Sequence, residues 1–199
     1  MKKITISSAL LLLSFSLLLA GGYKVGDKAS DFKLQNVDGK YVSLADYSEA
    51  KGFVVVFTCN GCPYAKAYQD RIIELDNKYK SMGYPVIAIN PNNTDMKPDD
   101  DLNAMKKRAE KKGYTFPYLK DADYEVFEEY GATRTPHIYV LTKKAEDLVV
   151  TYIGAIDDNY QDASDVEEAY LANALDALLA DKEPEPSFTK AIGCSIKQK

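Results

Sequence analysis

The chain has 199 residues, a formal net charge of −5, 46% hydrophobic residues and 28% charged ones. That is enough for one domain with a sizeable core, and it excludes a disordered chain. An acidic balance with no clustered basic stripe excludes a nucleic-acid surface, and the 15 tyrosines point to packing rather than to a function.

Residues 1–22 stand apart. A short basic start, "MKK", precedes the apolar "ALLLLSFSLLLA" and the small residues of "LAGG". This is the three-part layout of an export signal, with cleavage expected near Ala20 or Gly22. The apolar run is short of the ~20 residues of a membrane span, and a retained N-terminal membrane anchor is the alternative. No cysteine lies near Ala20 to take a lipid.

From Asp31 to Tyr47 the pattern predicts a β-hairpin turning at Asp38-Gly39, then one helical turn capped by Ser43. "FVVVF" (53–57) is short, continuous and β-branched, which predicts a strand buried on both faces. A helix follows the cysteines. Pro63 suits its first turn, Ala67, Tyr68, Ile72, Leu75 and Tyr79 give its apolar stripe, and Gly83 ends it. "PVIAIN" (85–90) is a second buried strand, and "PNNTDMKPDDD" a polar loop. Asp101 or Asn103 caps a helix running to Lys112, with Gly113 as its stop.

"YTFPYLKD" reads as an extended stretch and "ADYEVFEEYG" as a short helix. "RTPHIYVL" gives a third strand, expected beside the first buried one, and "DLVVTYIGAI" a fourth in a hairpin with it. In the last helix, "SDVEEAYLANALDALLA", Ser164 and Glu167 form a capping box, and Leu171, Leu175, Leu178 and Leu179 a core face. "DKEPEPS" is a charged, proline-bearing linker to a tail, "FTKAIGCSIKQK". The order predicts a mixed sheet with helices on both faces in one α/β domain.

The chain holds three cysteines, Cys59, Cys62 and Cys194. An odd number in an exported chain leaves one thiol over, which disfavours a purely structural disulfide framework. Cys59 follows the end of a buried strand and opens a helix, where unpaired N–H groups and the helix dipole favour thiolate. Cys62, three residues on, can close a disulfide with it. Three readings follow: a redox pair; a zinc site completed by Cys194 and His137; or two small buried side chains. The strand–helix setting favours the first.

Thr135-Pro136 opens the strand beside the pair. Proline there marks a strand entry or a cis bond, and a cis bond would leave backbone groups free to pair with an extended peptide. Arg134 precedes it and is a candidate to stabilise thiolate or to bind a peroxide or carboxylate oxygen, with an exposed surface arginine as the alternative. His137, the only histidine, reads first as a packed strand residue.

The blocks "VGDKASDFKL", "DGKYVSL", "VVVFTCNGCPYAKAY", "YTFPYLKD", "YGATRTPHIYVL", "GAIDDN" and "AIGCSIK" together resemble a known family. They are similar to the thioredoxin-like redoxins of the alkyl hydroperoxide reductase and thiol-specific antioxidant superfamily, in the peroxiredoxin-like branch that carries C-x-x-C. The resemblance runs from about Val25 to Lys197. It implies a thioredoxin fold with an N-terminal β-hairpin extension, a redox pair at Cys59 and Cys62, and a cis-proline at Pro136. Peroxidases of this superfamily place a proline and a threonine ahead of the reactive cysteine. Here the preceding residues are "VVVFT", with Thr58 at a different offset, whereas Arg134 stands where such enzymes place an activating arginine.

About fourteen residues separate Ala180 from Cys194, and at ~3.1 Å per extended residue they reach ~40 Å, enough to return Cys194 to the pair. Cys194 is therefore a candidate resolving thiol, with a buried tail cysteine as the alternative.

The expectation is a signal peptide over 1–22, a redoxin domain over 23–180, and a linker and tail over 181–199. The function is a thiol–disulfide oxidoreductase in the periplasm or secreted, with Cys59 attacking and Cys62 resolving. Thr58, Pro63, Arg134, Thr135 and Pro136 support them. The alternatives are a thiol-dependent peroxidase and a non-enzymatic copper or zinc module using the cysteines and His137. No cofactor and no resident metal are expected. The partners are a protein or small-molecule disulfide, thiol or peroxide and an electron donor or acceptor, with no nucleic acid and no membrane after cleavage.

Overall fold

The computed structural model describes residues 21–198, so the expected signal segment lies almost wholly outside the described residues. The chain begins with β1 (Lys28–Ala29) and the hairpin β2 (Lys33–Asn36) and β3 (Tyr41–Ser43). A 3-10 turn over Leu44–Asp46 follows, with Ser43 as its cap. Next come β4 (Gly52–Phe57), α1 (Pro63–Tyr79), β5 (Val86–Asn90), α2 (Leu102–Lys112), β6 (Tyr118–Lys120), α3 (Glu125–Tyr130) and β7 (Arg134–Thr135). The hairpin β8 (His137–Lys144) and β9 (Asp147–Gly154), α4 (Tyr170–Leu179) and β10 (Cys194–Ser195) complete the fold.

Eight strands form one mixed sheet in the order β1-β9-β8-β4-β5-β6-β2-β3. The central strands β4, β5 and β6 run parallel, and β8 lies antiparallel to β4, as expected for the third strand. Alternation along β4 builds both sides of the core. Val54 and Val56 face α1, α2 and α4 through Tyr68, Ile72, Met105, Leu171 and Leu175. Phe53, Val55 and Phe57 face the other side, with Val126, Phe127 and Tyr130 of α3. At about 1.5–3 kcal/mol per buried side chain, the five apolar residues of β4 outweigh any single hydrogen bond of about 1 kcal/mol. Packing therefore fixes where the cysteine loop emerges.

Three features differ from expectation. The buried face of α1 uses Ala65 where Ala67 was expected, because Ala65 packs against the cysteines and Ala67 is exposed. Ser164 does not cap α4. It sits in a 3-10 turn capped by Asp162, and the Glu167 N–H goes to Asp158, while the Asp158 N–H goes to the Glu168 carbonyl, so regular helix begins only at Tyr170. The linker after α4 is not a free tether. The Ser187 carbonyl and the Thr189 N–H bracket Ile153, and the Thr189 hydroxyl accepts from the Ala155 N–H. The "GAIDDN" block is clamped to α1 by Arg71, which donates to Asp157 and to the Asn159 carbonyl, both at 2.5 Å, while Tyr68 donates to Asp157 at 2.7 Å.

Candidate active site

β4 stops at Phe57, and Thr58 donates its N–H to the Ile89 carbonyl of β5 at 2.8 Å. Cys59, Asn60 and Gly61 then cross the end of the sheet. Pro63 takes the first position of α1, so the residue before it, Cys62, is the N-cap in extended conformation (φ −72°, ψ 128°). Cys62 heads the helix, and Cys59 lies on the approach to it.

Thr135 meets both sulfurs. Its Oγ1 lies 3.2 Å from the Cys59 Sγ, and its carbonyl oxygen 3.1 Å from the Cys62 Sγ. The Thr135-Pro136 bond is cis, as the family resemblance implied. Cys59, Cys62 and Cys194 are all unbridged, and with Ala65 and Tyr64 they form a small cluster of their own. Cys59 is 3% exposed and Cys62 4%.

The two sulfurs share charge unequally. The Cys59 thiol donates to Cys62, and further hydrogen bonds from Cys194 and the Ala65 N–H bring the Cys62 thiol down to about 4. Cys59 moves up, because its proton is held by Cys62 and because it is buried. The Thr135 carbonyl accepts from Cys62 only when that sulfur is protonated and repels it as thiolate. The Cys59, Cys194 and Ala65 donors favour the anionic form of Cys62, while the Thr135 hydroxyl and the Cys62 N–H favour that of Cys59. Burial pushes the Cys194 thiol up to about 11.

A buried polar network holds the loop. The Asn60 N–H donates to Asp100 at 2.7 Å, its amide to the Asp99 carbonyl at 2.6 Å, and its Oδ1 accepts from Tyr118 at 3.1 Å. Asp100 also accepts from the amides of Asn90 and Asn92 at 2.9 and 2.8 Å, with no exposure to solvent. Lys120 donates to the Asn92 carbonyl, and burial lowers its pKa. In sequence these residues look like an ordinary polar loop.

The backbone groups beside the cis-proline are not free. β10 pairs antiparallel with β7, Cys194 opposite Thr135 and Ser195 opposite Arg134. The tail does return to the pair and closes a cavity of about 180 Å³ lined by Cys59, Cys62, Asp100, Thr135, Cys194 and Lys197. Among the described residues no hydrogen bond joins the exposed Arg134 to either sulfur; it lines a separate cavity of about 480 Å³ on the His137 side. His137 accepts from the Thr133 N–H through Nδ1, packs at a tilt against Tyr139 with centroids 4.9 Å apart, and is brought down to about 4 by burial. It is a packed strand residue, and the Cys–His metal set is not assembled. Thr58 is buried beside Cys59, and Pro63 is exposed at the start of the helix.

The AhpC/TSA family matches residues 25–154. The chain belongs to this family. Among curated relatives, the thiol-disulfide oxidoreductase ResA of Halalkalibacterium halodurans is 23% identical over 133 residues, covering 67% of this chain and 70% of that protein. A Mycobacterium tuberculosis protein provisionally named a peroxiredoxin is 30% identical over 118 residues, covering 57% of this chain and 68% of its own. The chain thus spans about two thirds of the curated relatives it matches. An uncharacterized conserved protein from Geobacillus kaustophilus has a solved structure similar to this one, with TM-score 0.81 and 38% identity over 88% of this chain and 93% of its own. The fold of this AhpC/TSA chain is thioredoxin-like, and it stands among oxidoreductases.

Proposed function

We propose that the protein is a thiol–disulfide oxidoreductase in which Cys59 and Cys62 cycle between dithiol and disulfide. The observation that carries this reading is the paired geometry: two sulfurs at the head of α1, both against Thr135 beside a cis-proline, with the lower thiol pKa at Cys62. The Cys62 thiolate attacks one sulfur of a partner disulfide. A mixed disulfide forms, and the other partner sulfur leaves as thiolate. Cys59 gives its proton to that leaving group and attacks the Cys62 sulfur, forming the Cys59–Cys62 disulfide and releasing the second partner thiolate. The pair loses two electrons and the partner gains them; the reverse sequence oxidises a partner dithiol. Pro136 and Thr135 shape the groove, and Asn60 and Asp100 hold the loop.

Cys194 is the candidate resolving thiol. Once Cys59–Cys62 has formed, Cys194 loses its proton and attacks the Cys62 sulfur, giving a Cys62–Cys194 disulfide and a Cys59 thiolate with no net change in electrons. We place the protein outside the inner membrane on the strength of its first 22 residues, with a domain from 23 to 180 and a tail from 181. No described helix is long and apolar enough to cross a membrane. The relative named as a peroxiredoxin supports a second reading, a thiol peroxidase that uses the same thiolate. The test is reduction of insulin against consumption of hydrogen peroxide with the same dithiol donor. Insulin turnover abolished by Cys62→Ser supports the first reading; Cys62-dependent peroxide consumption without insulin reduction replaces it by the second.

A further inference from the structure

The reactive pair is sealed by the chain's own last residues. β7 is two residues long, and its partner in a sheet of two strands is β10. The seam continues past β10 on both sides. The Ile196 N–H reaches the Thr133 carbonyl at 3.4 Å, and the Lys197 N–H donates to the Asn92 Oδ1 at 2.9 Å. The Lys197 carbonyl accepts from the Asn93 N–H at 2.7 Å. The tail is thus an extended strand stitched between the 92–93 loop and the 133–135 loop, and its cysteine rests against Cys62. The residue before that cysteine has no room for a side chain: a Cβ on Gly193 would land 2.3 Å from the oxygen and 2.7 Å from the carbon of the Thr135 carbonyl, both rigid backbone. The approach to the tail is held at Ser187 and Thr189, while the Phe188 and Ile192 side chains are exposed.

We propose, resting on the thiol–disulfide reading, that residues 193–197 are a tethered stand-in for the partner. The site takes an extended protein segment antiparallel to Arg134–Thr135, most tightly with a small residue immediately before its cysteine, and takes it only when the tail has left. The tail therefore competes with the partner for one groove. Small disulfides lack the strand and gain nothing from the main-chain seam.

The experiment uses the full chain, a Gly193→Val variant, and a second variant ending at Ala191, each checked by thermal unfolding. Insulin is the protein disulfide, and a peptide of residues 190–197 with Cys194 replaced by Ser is the competitor. Releasing the tail raises Cys62-dependent insulin turnover by at least ~5-fold, the factor that one net main-chain hydrogen bond is worth. The peptide then inhibits the shortened chain, and the same peptide carrying Val at 193 inhibits it more weakly. Insulin turnover unchanged or lower in both folded variants, or equal inhibition by both peptides, overturns the tethered stand-in while the oxidoreductase reading stands. Absence of Cys62-dependent insulin reduction in every form removes both.

Discussion

Replacing Cys59 by Ala removes the donor that contributes most to the low pKa of Cys62. A hydrogen bond to a charged acceptor is worth about 1.5–3 kcal/mol, and one pKa unit is ~1.4 kcal/mol, so the Cys62 midpoint should climb by ~1–2 units from about 4. Cys59→Ser keeps a hydroxyl donor in place and should shift it less. The remaining donors, the Ala65 N–H and Cys194, should hold the midpoint below the 9.0 of an unperturbed thiol. Thiolate absorbance in the ultraviolet, followed from acid to alkaline pH, reads the midpoint without any reagent having to pass the tail. Mass spectrometry after alkylation assigns the sulfur. An unchanged midpoint in Cys59→Ala, or a low midpoint that follows Cys59 in a Cys62→Ala chain, would refute the shared proton and return the charge to Cys59.

Asp100→Ala leaves the Asn60 N–H and two buried amides without an acceptor, and urea unfolding should register a loss of ~3–5 kcal/mol together with lower insulin turnover; a loss below ~1 kcal/mol would mean that water replaces the carboxylate. Arg71→Ala strands the buried Asp157, with side-chain exposures of 14% and 5% for the pair, and should cost ~3–5 kcal/mol in the same assay with little effect on the thiolate midpoint. His137 is 8% exposed and its pKa falls from 6.5 to about 4 on folding. Between those values the unfolded chain binds a proton that the folded chain does not, so stability rises with pH across that window, by up to ~3 kcal/mol, and His137→Phe should flatten the profile there.

The cysteine strand and its helix were legible because both signals are local. "FVVVF" has one way to bury five consecutive apolar side chains, and Pro63 permits a helix only from its own position onward. That same proline also fixes the N-cap at Cys62, whereas the strand end before the pair drew attention to Cys59 as the residue that opens the helix. The capping box failed for the opposite reason. Ser164 and Glu167 have the right spacing, but Asp158 and Asp162 capture the N–H groups of Glu167 and Ser164 from neighbouring positions. The Asn60–Asp100–Asn92 network was hidden because Asn, Asp and Pro form surface turns far more often than buried clusters, and its acceptors come from segments far apart in sequence. The tail's length showed that Cys194 could return. That it does so as a strand follows from Gly193, whose missing side chain matters only once Thr135 stands opposite.

Thr135 joins these two levels of the site. Its hydroxyl touches one sulfur and its carbonyl the other, while its main chain carries the register with Cys194. Any strand that enters the groove must pair with the residue that touches both sulfurs. Cys194 itself donates to Cys62 through side chain and main chain, so departure of the tail withdraws stabilisation from the thiolate as it admits water to it. These effects oppose each other, because burial raises the same thiol. Opening of the site therefore changes the Cys62 pKa by less than the loss of Cys194 alone would. Access rather than ionisation then sets the rate, and a shortened chain should show faster insulin turnover with a Cys62 midpoint still far below 9.0.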